Sequence, residues 1–116
     1  MDVVTSCIIE NHRRSLTKPL DGEVLELLKE IESKPALYIG DDQNVRCLFH
    51  FLNGWGYAKQ VWKNQESASL NEKMNAFLAL NYNDLDSLNW AQLLIRHEGE
   101  EAAYGKFFEY LHMIDH

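Results

Sequence analysis

Apolar residues return in this chain at intervals of three and four, the 3.6-residue period of helices that each bury one stripe. Val24, Leu27, Leu28 and Ile31 make the first clear run, with Asp21 as a plausible N-cap. Val45, Leu48, Phe49 and Leu52 form a second stripe, and Phe51, Trp55, Ala58 and Trp62 a third on the same helix, which implies a central helix with neighbours on two sides. Gly54 and Gly56 inside it predict a kink or a close approach. Ser69 and Glu72 match a capping box before Leu70, Met74, Phe77 and Leu78, and Asn81 to Asp84 should end that helix. Another follows from Ser87 with Trp90, Leu93, Leu94 and His97, closed by Gly99. Glu100 and Glu101 start the last, with Tyr104, Phe107, Phe108 and Leu111 on its apolar face.

The expected fold is therefore all-α, a single-domain bundle of about five helices over residues 21–116. Residues 1–20 are compatible with a short helix, a strand or an arm, because Arg13, Arg14 and Lys18 interrupt the apolar pattern and Pro19 closes it. Lys34-Pro35-Ala36-Leu37-Tyr38-Ile39-Gly40 cannot continue the helix before it and reads as a compact, partly buried connection. At 116 residues and 46% hydrophobic, the chain has enough apolar material for one core, and no cofactor is expected.

The start lacks the pattern of a secretory signal, and no run of about 18 apolar residues could span a bilayer, so a cytoplasmic protein without a membrane role is expected. Cys7 and Cys47 belong to no CxxC pair and read as buried or half-buried thiols. Of the net charge of −7, residues 64–116 hold nine acids against three bases, whereas residues 1–63 hold nine against eight. Such a field repels phosphate backbones and speeds encounter with cations, so a basic protein is the expected partner and nucleic acid is not.

Little in the chain asks for catalysis. His112 and His116 are four apart, but there is no HExxH motif, and no metal site is expected. Cys47 and His50 share one helix without an orienting third group, which favours packing over a nucleophile and base. Gly54-Trp55-Gly56 lacks the remainder of a phosphate loop. The acids carry the stronger signal. If the last two helices form an antiparallel hairpin, Glu98, Glu100 and Glu101 mark one tip, while Asp84, Asp86 and Asp115 gather at the other. Helix capping and solvation account for such acids equally well.

Leu28-Lys29-Glu30-Ile31, Lys34-Pro35-Ala36-Leu37-Tyr38-Ile39-Gly40 and Leu48-Phe49-His50-Phe51-Leu52-Asn53-Gly54-Trp55 resemble small bacterial proteins with a K-[RK]-P-x-[ML]-Y-[IL]-G turn and an L-x-x-F-[LI]-x-G-[YW] helix. Asn89-Trp90-Ala91-Gln92-Leu93-Leu94 and the stretch from Glu100 to Leu111 are similar to their Trp-led and aromatic-rich final helices. These are immunity proteins of polymorphic toxin and contact-dependent growth inhibition systems. The resemblance spans residues 24–114 and implies an all-α protein that neutralises a cognate toxin domain, often a basic nuclease, without catalytic residues of its own.

The partner-facing residues expected on charge are Asp84, Asp86, Glu98, Glu100, Glu101, Glu109 and Asp115, with the Asp41 and Asp42 loop as the next candidate. An acidic adaptor for an endogenous protein is the alternative, and a small enzyme with an unrecognised histidine site the third.

Overall fold

The computed structural model describes residues 3–40, 43–59 and 69–114. Among them are seven helices and no strand: α1 (Val3–Thr17), α2 (Gly22–Ser33), α3 (Ala36–Ile39), α4 (Val45–Lys59), α5 (Leu70–Asn81), α6 (Trp90–Glu98) and α7 (Glu100–Ile114). Five of these match the periodic runs. The other two come from segments whose structure the apolar spacing alone did not define.

The N-terminal segment is a helix rather than a strand or an arm. Its half-buried side, Thr5, Ile8, Ile9, His12, Ser15 and Leu16, keeps helical spacing, and α1 packs along α5. Residues of α1 are nowhere fully buried, which explains the weak periodicity. The second addition is α3. After Pro35 the chain makes one helical turn, with the Ile39 amide donating to the Pro35 carbonyl at 2.9 Å. Tyr38 and Ile39 pack against the core, and the Tyr38 ring meets Phe51 edge-on at 5.9 Å.

Local chemistry fixes the helix ends. The Asp21 carboxylate accepts from the Glu23 amide at 2.9 Å, and Ser69 Oγ from the Glu72 amide at 3.1 Å. The Glu72 carboxylate does not complete the expected box but accepts from Ser15 Oγ of α1 at 3.5 Å. A reciprocal box forms instead at α6, between Asn89 and Gln92, so that helix starts three residues later than Ser87 suggested. Gly99, at φ +87°, closes α6 by donating to the Ile95 carbonyl, and its own carbonyl receives the Ala103 amide of α7.

α4 runs through Gly54 and Gly56 without a break, and a Cβ at Gly54 would meet nothing within 4 Å, so neither a kink nor close contact explains that glycine. Val45, Leu48 and Leu52 are buried, Phe51 and Trp55 half-buried, and Ala58 exposed; Trp62 lies outside the described residues. Cys7 and Cys47 are both exposed, contrary to their reading as buried or half-buried thiols, because they sit on the outward sides of α1 and α4. His50 faces solvent beside Cys47.

Trp90 organises the core. It is fully buried, 5.0 Å from the Phe49 ring and 4.6 Å from Phe107, and its indole N–H donates to Asn71 Oδ1 at 2.7 Å. One side chain thereby ties α6 to α4, α5 and α7.

Candidate functional site: an ordered acidic cluster

The site begins where α5 ends. Asn83 takes a left-handed conformation, φ +52°, which its short polar side chain tolerates. The Asp84 amide then donates to the Ala79 carbonyl at 2.9 Å and the Asn83 amide to Leu80 at 3.3 Å, the paired bonds of a Schellman turn. This turn sends Asp84 back towards the far end of α6.

There Asp84 Oδ2 receives Arg96 Nη1 at 3.0 Å and His97 Nε2 at 2.8 Å, while Oδ1 receives the Asp86 amide at 3.2 Å. The Asp84 side chain is only 8% exposed. The bond from His97, with the Asp86 amide and Arg96 behind it, holds the Asp84 carboxyl below the usual aspartate range against the opposing effect of burial. Arg96 Nη1 also reaches Asp86 Oδ2 at 2.8 Å, and the two carboxylates hold its guanidinium above the ordinary value.

A tyrosine pair extends the cluster. The Tyr82 ring stacks on His97 at 4.2 Å, and its hydroxyl donates to Glu98 Oε2 at 2.7 Å. Tyr110 Oη lies 3.3 Å from both the Tyr82 hydroxyl and Glu98 Oε2 and accepts from Asn81 Nδ2 at 3.4 Å. Burial, followed by the bonds with Tyr110 and Glu98, pushes the Tyr82 phenol far above its ordinary value, so it stays a neutral donor. Across the junction with α7, Arg46 of α4 pairs with Glu100. Glu101 is exposed beside it, with no ion-pair partner among the described residues.

Asp84 and Asp86, expected at the start of α6, instead meet its last turn through Arg96 and His97, and Glu98 of the other expected pole joins them through Tyr82, because the Schellman turn reverses the chain before α6 begins. Glu109 stands apart on the outer side of α7, paired with Lys106 at 3.5 Å. Asp41, Asp42 and Asp115 lie outside the described residues. Charge counting missed Tyr82, Arg96, His97 and Tyr110; the clue to two of them was that Arg96 and His97 are the basic residues of the last turn of α6, where cations favour the helix dipole.

Among the described residues no helix is long and apolar enough to cross a membrane, and no three His, Cys, Asp or Glu side chains are placed to share a metal ion. His112 pairs with Glu32 at 3.1 Å, and His116 lies outside the described residues. Comparisons with family models, curated proteins and solved structures return no significant match.

Proposed function

We propose that this chain is an immunity protein: a non-enzymatic inhibitor that binds a cognate toxin domain through the carboxylates around the α6–α7 junction. The observation that carries the reading is that Asp84, Asp86 and Glu98 meet at the last turn of α6, fixed by side-chain bonds to Arg96, His97 and Tyr82, with Glu100 held by Arg46 and exposed Glu101 following at the start of α7. Carboxylates ordered before binding lose little rotamer freedom on docking, and their excess over the arginines leaves a negative surface. A nuclease must present cations to its phosphate substrate, so an acidic inhibitor is electrostatically suited to cover that surface. The resemblance over residues 24–114 points to the same partner class.

Co-expression with the product of the gene adjacent to this one, tested for toxicity on its own, tests the reading. Stable co-purification and restored growth are the expected outcomes, and toxicity undiminished by the folded protein overturns it. The interface has its own test. Asp86→Asn with Glu100→Gln and Glu101→Gln should slow association about tenfold at low salt and flatten its salt dependence, with a smaller change in dissociation. An unchanged rate and salt slope would move the interface off this end.

A further inference from the structure

A cleft of about 480 Å³ opens between α4 and α6. Exposed Arg46, His50 and Arg96 stand at its mouth, and half-buried Phe49, Leu88 and Ile95 form its base. Among the described residues no carboxylate lines this cleft. Its polar groups are two guanidiniums, an imidazole and the amides of Asn89 and Gln92. We propose that the cleft binds a small organic acid, a single carboxylate carried on a flat apolar body.

Three features select that class. First, among the described residues Arg96 uses only Nη1, for Asp84 and Asp86, and Arg46 only Nη1, for Glu100, so Nε–H and Nη2–H on each planar group face no partner there. The carboxylates already hold both side chains in place, so orienting them for a bidentate bond costs little entropy. Second, the guanidinium charge is partly neutralised by those three acids. A monoanion satisfies what remains, whereas a phosphate dianion would meet repulsion from Asp84, Asp86 and Glu100. Third, the apolar base would stay wet beneath a bare anion; a ring of phenyl size covers it, and the volume falls in the usual range for small-molecule sites.

The test is a ¹H–¹⁵N titration of the full chain with 3-phenylpropionate, its neutral amide, inorganic phosphate and an acetylated Phe-Glu peptide. Saturable shifts confined to residues 46–50 and 88–96 are expected for the acid, with Kd about 1 mM or tighter, and at least about tenfold weaker binding for the amide and for phosphate. Arg46→Gln and Gln92→Glu should each weaken the acid about tenfold. Glutamate keeps the capping-box acceptor, so Gln92→Glu adds a charge to the cleft without removing the cap of α6. Unchanged dispersion in both variants' spectra verifies that they fold. Equal affinity for acid and amide, shifts elsewhere, insensitivity to both substitutions, or markedly tighter binding of the peptide would overturn the proposal.

Discussion

At the scale of single residues, burial and hydrogen bonding identify Trp90 as the residue the fold can least spare. Removing its side chain leaves a cavity bordered by Phe49 and Phe107 and strips Asn71 Oδ1 of its donor. Trp90→Ala should therefore cost about 3 to 5 kcal/mol, read as a lowered urea midpoint; an unchanged midpoint would remove Trp90 from its central place. Asp84 makes a different prediction. Its carboxyl is depressed in the folded protein, so the stability it contributes is present above its unfolded pKa, near 4, and is lost as pH falls through the lower folded value. Asp84→Asn should be less stable than the parent at pH 7, and the gap should close progressively below about pH 4 in urea melts. A gap constant with pH would show that Asp84 acts through shape rather than charge.

At the scale of elements, the helices divide by how much they bury. α6 and α7 contribute Trp90, Leu93, Leu94, Phe107, Phe108 and Leu111 to the core, whereas α1 contributes no fully buried residue and leaves Val3 and Val4 exposed. Just beyond α1, the Lys18 carbonyl nevertheless accepts from the ammonium of the buried Lys73 of α5 at 2.6 Å. A helix held mainly by one neighbour opens at lower free energy than the rest, so α1 amides should exchange with solvent well before those of α6 and α7 under native conditions. Equal protection across all three helices would show that α1 unfolds only with the whole molecule.

At the scale of the molecule, the excess acid of residues 64–116 becomes a surface rather than a count. Arg96 and His97 draw the Asp84 loop onto the last turn of α6, which sets Asp84 and Asp86 near Glu98 rather than at the helix start. The neighbouring cleft is lined by Arg46 and Arg96, the guanidiniums that also hold Glu100, Asp84 and Asp86. Ligand in the cleft would bear on the same Arg96 guanidinium that positions Asp84 and Asp86.

The sequence by itself determined the helices that bury a stripe, their caps at Asp21 and Ser69 and their stops at Pro35 and Gly99, because those depend on residues within four positions of one another. Trp90 was legible as a core anchor for the same reason. Tertiary structure alone decided that α1 is a helix, since its half-buried stripe gains from α5, more than fifty residues away. It also decided the site. The bonds from Arg96 and His97 to Asp84 bridge 12 and 13 residues and exist because Asn83 adopts a left-handed turn, a choice no periodicity encodes. Charge composition records how many carboxylates a chain carries; only the direction of the chain after α5 determines which of them share a surface and which cations hold them there.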